Sequence, residues 1–359
     1  MLYINETTET NFVIDVFRKL GVSEEHAKLA AEVVLQSDAT GVSTHGLARM
    51  PMYVRRILKN KAVNPTPNIR QVNDSENLIV LDGDNGPGNV VGAVASNILI
   101  DAAKKYGMAA VAIRNSNHYG VGNYYSTKFS KAGLIGINMT SSTPNVAPTG
   151  GSVPMLGTNP LTVGIPTNKH YPISLDMATS VVAFGKIQKA ADAGEKIPLG
   201  WAVDKDGKPT EDPNEALKGS LLPIGGYKGY GLALVIDIFS ALLSQAAYGL
   251  DIGDKFNPEA TEPEKMGHFM MAMDVSKFYD LDEFKNNVDE YIDTMKNTPK
   301  AVGSEEIFMP GEIEYRRAEK IKETGIPVDE ILQKKMLEIA KDVGIGEFNS
   351  AKELFDTYS

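Results

Sequence analysis

Pro65-Thr66-Pro67 limits this chain more than any other feature. Two prolines one residue apart hold the backbone extended and remove two amide donors, so neither a helix nor a central strand can run through them. The texture differs on either side. Upstream, Phe12, Val13, Val16, Phe17 and Leu20 recur at helical spacing up to Gly21, and Ser23 opens a second helix carrying Ala27, Ala30, Ala31, Val34 and Leu35. Downstream, from Asn77, short apolar runs alternate with helical stretches. Leu78–Leu81, Met108–Ile113, Gly133–Met139, Leu161–Ile165 and Ile173–Leu175 read as strands, and Val90–Tyr106 as a helix ended by Gly107. A later strand is expected at His268–Met273, and charged helices over 281–297 and through the tail, whose Ile331, Leu332, Met336 and Ile339 predict packing against other helices. The expected division is a helical unit over 1–70, completed by 313–359, and an α/β (α+β) unit over 71–312.

Composition narrows what such a chain can do. A net charge of −10 lacks the basic face that nucleic-acid binding needs. With no cysteine, disulfides, thiolate nucleophiles and thiolate metal sites are excluded. The first residues show no signal-peptide pattern, and no apolar run reaches the ~20 residues of a membrane span. The best run, Gly231–Leu243, is interrupted by Asp237 and reads as a buried helix. The expectation is a cytoplasmic protein with no membrane or nucleic-acid partner.

Chemistry concentrates in a few places. Asp38-Ala-Thr-Gly-Val-Ser-Thr-His-Gly-Leu-Ala-Arg49, continuing to Arg56, has Ser43 and Thr44 before a helical pattern, with Pro51 fitting near its first turn. That pattern puts His45, Arg49, Tyr53 and Arg56 near one face. An imidazole beside a guanidinium suits acid–base work on a small 2-hydroxy or 2-oxo acid. A capped surface helix, with Ser43 or Thr44 as N-cap and its arginines in solvent, reads equally well. His118, in Arg114-Asn-Ser-Asn-His-Tyr-Gly-Val-Gly-Asn-Tyr124, follows a strand and precedes a helix, where loops line crevices. It fits a proton acceptor, or alternatively a turn residue bonded to backbone.

The polar loop Thr140–Gly151, Asp176 at a strand end, and Gly225-Gly-Tyr-Lys-Gly-Tyr-Gly231 around Lys228 are candidate ligand sites, the last the strongest signal for a phosphate. Asp176 reads equally as a helix cap. Gly86-Pro-Gly88 and Gly229-Tyr-Gly231 both lack the third glycine of the dinucleotide fingerprint, which sets a Rossmann fold aside. His26 reads as solvated, and His170 and His268 as structural.

Taken together, Asp38–Arg49, Asn115-Ser-Asn-His-Tyr-Gly120, Leu175-Asp-Met-Ala-Thr-Ser180, Gly226-Tyr-Lys-Gly-Tyr-Gly231 and Pro310-Gly-Glu312 resemble the malate/L-lactate dehydrogenase family of the non-Rossmann type, along nearly the whole chain. That family includes L-sulfolactate and ureidoglycolate dehydrogenases and imine and diketo-acid reductases. The resemblance implies a homodimer with a non-Rossmann NAD(P)-binding domain on a mixed sheet, and interconversion of a 2-hydroxy and a 2-oxo acid, L-malate or L-lactate first. It matches His118 to the acid–base histidine, places His45, Ser43 and Tyr53 beside it, and matches Arg49 to the carboxylate-binding arginine. His45, Ser142, Asp176, Met177, Ala178, Lys228, Gly311 and Glu312 match positions contacting the cofactor, NAD with NADP as the alternative. The competing expectation is a non-catalytic nucleotide-binding sensor that kept the fold. Residues 250–300 depart from the family pattern.

Overall fold

In the computed structural model, which describes residues 1–359, the chain opens with a short strand, β1 (Leu2–Ile4), and two helices, α1 (Glu6–Lys19) and α2 (Glu24–Ala39). Asn5 caps α1 by accepting the Thr8 amide, and Ser23 caps α2 by accepting that of His26. Residues 43–59 follow as two tight turns, a short helix α3 (Met50–Val54) with Pro51 in its first turn, and one wide turn at Arg55–Lys59. This differs from the single regular helix expected here. Neither Ser43 nor Thr44 caps it.

Next come β2 (Arg70–Gln71), β3 (Leu78–Asp82), α4 (Gly88–Tyr106), β4 (Met108–Ser116), α5 (Gly122–Lys131), β5 (Leu134–Thr140), β6 (Leu161–Ile165) and β7 (Ile173–Met177). After α6 (Phe184–Ala193), β8 (Ala202–Val203) pairs with β9 (Ser220–Leu221) around a short helix, α7 (Pro213–Lys218). Then follow α8 (Tyr227–Asp237), extended by a wide turn to Leu242, β10 (Met266–Asp274), α9 (Leu281–Lys296), α10 (Glu312–Thr324), β11 (Ile326–Val328), α11 (Glu330–Asp342) and α12 (Ala351–Asp356). No helix is long and apolar enough to cross a membrane.

The main sheet has the order β2-β3-β4-β10-β5-β6-β7, parallel only between β3 and β4. Helices α4 and α5 cover one face, where Val91, Leu99, Tyr125 and Phe129 pack with Val111, Ile113 and Met270. The other face receives the end of the α8 segment, Phe239 lying 4.9 Å from Phe269. A separate core joins the two ends of the chain: Phe12, Val16, Phe17, Leu47 and Met50 pack with Val328, Met336, Ile339, Leu354 and Phe355. β1 pairs with β11, fixing the tail to the first residues. Val90 of α4 belongs to that helical core and its neighbour Val91 to the sheet core, so α4 is the seam.

One expectation fails. The apolar run read as a buried helix leaves Leu234, Val235, Ile238, Phe239, Leu242 and Leu243 between 38% and 54% exposed. Only its opposite side, Ala233, Ile236 and Ala241, is covered.

Candidate active site

The seam brings residues 43–59 against the loop that follows β4. Asn115, one residue before the end of β4, adopts a left-handed φ of +51° and donates to both Asp82 carboxylate oxygens at 3.1 Å. Asn117 then donates to the Gly86 carbonyl at 2.8 Å and to Asn85. A Cβ on Gly88 would come within 1.9 Å of the Asn117 carbonyl. The glycine-rich turn 82–88 is therefore spent on close contact with the His118 loop rather than on a phosphate, which explains why it lacks the nucleotide fingerprint.

His118 is buried, and its Nδ1 shares a 2.9 Å hydrogen bond with the Tyr53 hydroxyl. Its Nε2 has no protein partner. The His45 ring lies 5.3 Å away, centroid to centroid, with the Thr44 hydroxyl 2.9 Å from its Nδ1. The Arg49 Nε donates to the Thr44 carbonyl at 3.0 Å, and its guanidinium, 6.0 Å from the Phe256 ring centre, has no carboxylate partner. Ser43 stands exposed at the rim, and its hydroxyl bonds to neither histidine.

Buried carboxylates hold this turn. The Leu47 amide donates to Asp38 at 2.6 Å, and a Cβ on Gly46 would fall 2.0 Å from the same carboxylate. Burial pushes Asp38 up to about 7 and raises Glu9 beside it, so the pair holds a proton near neutrality.

Burial, then the Arg49 and Lys255 cations, pulls His45 down to about 3. Burial again, then Arg49, His45 and Lys255, holds His118 well below the usual imidazole range. Both rings are neutral at pH 7. Burial raises Tyr53, which stays a phenol.

From His45 a cleft of about 380 Å³ runs past Gly120–Asn123 to Thr158, Asp176, Ala178, Gly311 and Tyr315. Asp176 accepts from Thr162 at 3.0 Å and from the Asn123 amide at 2.9 Å. Asn123 Oδ1 is buried without a partner, as expected for a wall that receives a polar ligand. Met177 ends β7 between Asp176 and Ala178. Ser142 reaches the cleft through Thr158, 3.4 Å from hydroxyl to hydroxyl.

Two matched residues lie elsewhere. Lys228 is exposed in the first turn of α8, outside the lining of this cleft. Glu312, next to Gly311, turns to a neighbouring cavity, where Lys296 binds it at 2.8 Å and Arg316 also pairs with it.

The sequence reading missed Lys255 and Glu264 and misplaced Arg56. Arg56 leaves the His45 face and is buried, its Nε 3.8 Å from Glu264, which also lies 3.7 Å from Lys255. His268, read as structural, has Thr140 and Ser116 hydroxyls 2.7 Å from its two ring nitrogens and stacks on Tyr119. His170 lies 2.9 Å from Asp293, far along the sheet edge.

A neutral imidazole backed by a phenol, with a spare cation nearby and an elongated cleft beginning at His45, is the equipment for moving a proton on a small anionic alcohol. That equipment fits an oxidoreductase acting on CH–OH groups. Comparison with known proteins narrows this. Residues 4–337 match the malate/L-lactate dehydrogenase family model, and the chain belongs to that family of 2-hydroxy-acid dehydrogenases. It is 40% identical to the malate/(S)-sulfolactate dehydrogenase of Methanothermus fervidus over 96% of this chain and 99% of that one. Among solved structures it is similar to the sulfolactate dehydrogenase of Methanocaldococcus jannaschii, with TM-score 0.89, 43% identity and coverage of 96% and 98%. The malate dehydrogenase of Entamoeba histolytica gives TM-score 0.90 and 35% identity, covering 96% and 99%.

Proposed function

We propose that the protein interconverts L-malate, or a closely similar 2-hydroxy acid, and its 2-oxo acid, with NAD as the cofactor. The observation that carries this reading is the His118 imidazole, tied at Nδ1 to Tyr53 and open at Nε2. In the oxidising direction Nε2 takes the hydroxyl proton; in the reducing direction it returns one to the carbonyl oxygen. Tyr53 fixes the ring and responds to the charge formed on it. Arg49, with no carboxylate of its own, holds the C1 carboxylate by a charge-assisted bond. The substrate's negative charge offsets the cations that depress His118, so its affinity for a proton rises only once substrate is bound. His45 closes the pocket on the side of the cleft.

The unpartnered Asn123 Oδ1 and the polar cleft wall fit a dinucleotide, held by Asn123, Thr158, Asp176, Ala178 and Gly311, with Ser142, Met177, Lys228 and Glu312 as outlying candidates. A nicotinamide bound there supplies or accepts the hydride. The lining contains Asp176 and Glu314 but neither lysine nor arginine, which favours NAD over a cofactor with an added phosphate. The malate and sulfolactate dehydrogenases among its relatives favour a 2-hydroxy acid of that kind over lactate. The exposed apolar face of α8 supports a homodimer, in which a second copy covers Leu234, Ile238 and Leu242.

The test is NADH and NADPH oxidation against oxaloacetate, pyruvate and sulfopyruvate. Turnover of oxaloacetate or sulfopyruvate with NADH is expected. No turnover of any 2-oxo acid with either cofactor would leave the nucleotide-binding sensor as the better reading.

A further inference from the structure

Arg49 accounts for one anionic group on the substrate, and the pocket holds more positive charge than that. Residues 252–264 fold over the segment that carries Arg49 and Tyr53. Arg55 donates to the Lys255 carbonyl, Arg56 to that of Glu262 and Asn60 to that of Pro258, each at 2.9 Å. This brings Lys255 inside, 4% exposed, with its ammonium 5.1 Å from the centre of the Phe256 ring that Arg49 also approaches.

The ammonium is poorly served there. It donates to the Thr143 hydroxyl at 3.0 Å, while Glu264 stays at 3.7 Å, beyond hydrogen-bond length. Arg56 competes for that carboxylate from 3.8 Å, and Glu264 Oε2 has no hydrogen-bond partner. A lysine–glutamate pair kept for stability alone would close to contact, because a buried ammonium with unfilled donors is costly. Arg56 and Lys255 share the single Glu264 carboxylate, and Arg49 and Arg55 donate to backbone carbonyls without a carboxylate partner, so positive charge is in excess here. Lys255 is also close enough to depress both His45 and His118.

We propose that Lys255 determines specificity, binding a second anionic group beyond C2, so that the pocket selects 2-hydroxy acids with two anionic ends over those with one. The inference rests on the dehydrogenase reading above. Its chemistry is shared by a carboxylate and a sulfonate, and Thr143, one donor away from Lys255, belongs to the same polar loop as Ser142.

The experiment compares kcat/KM for oxaloacetate (a second carboxylate), sulfopyruvate (a sulfonate) and pyruvate (neither), in wild type, Lys255→Met and Lys255→Arg, with circular dichroism as the folding control. Lys255→Met is expected to lower the oxaloacetate-to-pyruvate ratio about a hundredfold, the scale of losing one desolvated charge pair, while Lys255→Arg keeps most of it. The sulfopyruvate arm shows whether the same lysine reads a sulfonate. An equal fall for all three acids, or no change in the ratio, overturns the proposal. Should Lys255→Met fail to fold, Lys255→Gln, similar in length and uncharged, takes its place: a fall in the same ratio supports the proposal and an unchanged ratio overturns it. A wild type inactive on every 2-oxo acid would instead refute the dehydrogenase reading, and this inference with it.

Discussion

His118 and His268 lie within one turn of the same sheet region, are both buried, and are both held neutral by burial, yet their surroundings differ in one respect. His268 sits in the sheet interior with a hydroxyl on each ring nitrogen and a tyrosine stacked on its face. His118 sits at the seam, with one nitrogen bonded and the other without a protein partner, the His45 ring 5.3 Å away and the Arg49 charge acting on it. Burial and a lowered proton affinity are common to both, so neither marks a reactive group. An unfilled ring nitrogen beside an unpaired cation does.

Substitutions should separate the two regions. His118→Ala is expected to lower kcat by about 10³-fold, within the range of losing a general acid–base group, with a smaller loss of stability than His268→Ala because only one ring bond is lost; wild-type turnover would erase the contrast. His268→Ala should act in the opposite way. It strands the Thr140 and Ser116 hydroxyls and opens a cavity, costing about 2–4 kcal/mol of stability in a urea titration, while folded enzyme keeps most of its turnover. Arg49→Lys keeps the charge but loses the fork, so KM for the 2-oxo acid should rise about tenfold or more in steady-state kinetics, with cofactor KM little changed. Tyr53→Phe removes the bond to Nδ1 and should lower kcat by about tenfold, a loss that disappears if the tyrosine only packs.

The smallest effect concerns pH. kcat/KM for hydroxy-acid oxidation reports the base in the free enzyme. Because His118 is depressed by burial and by Arg49, it stays unprotonated and competent below the ordinary imidazole pKa of about 6.5. The acid limb of the profile should therefore fall below that value. A limb at or above it would mean that the cations do not act on this ring.

Much of the fold is legible in the residues. The strands from Leu78 to Met177 are apolar runs bounded by turn-formers, and Gly107 and Ser23 act at the helix ends where their chemistry puts them. Two- and three-residue pieces such as β2 and β11 carry no periodicity and exist only through their partners. The α8 run looked buried because an apolar run reads the same whether or not its own chain covers it.

The site divides likewise. His118 and Arg49 stand in distinctive local contexts, and the structure brings them and Tyr53 to one seam. Lys255 and Glu264 gain meaning only from contacts with Thr143 and Arg56, more than a hundred residues away, in a stretch without helical or strand pattern. Arg56 left the expected face because the backbone widens at Arg55–Lys59, a change in pitch that helical spacing cannot foresee.

The central claim is that the open Nε2 of His118 meets the substrate. Nitrogen-15 NMR of the histidine-labelled protein with NAD and oxaloacetate, which are both oxidised and cannot react, tests it directly. The account predicts that adding oxaloacetate shifts the His118 Nε2 resonance while both His268 nitrogens stay where they were. An unmoved His118, or a His268 that shifts as far, would contradict it.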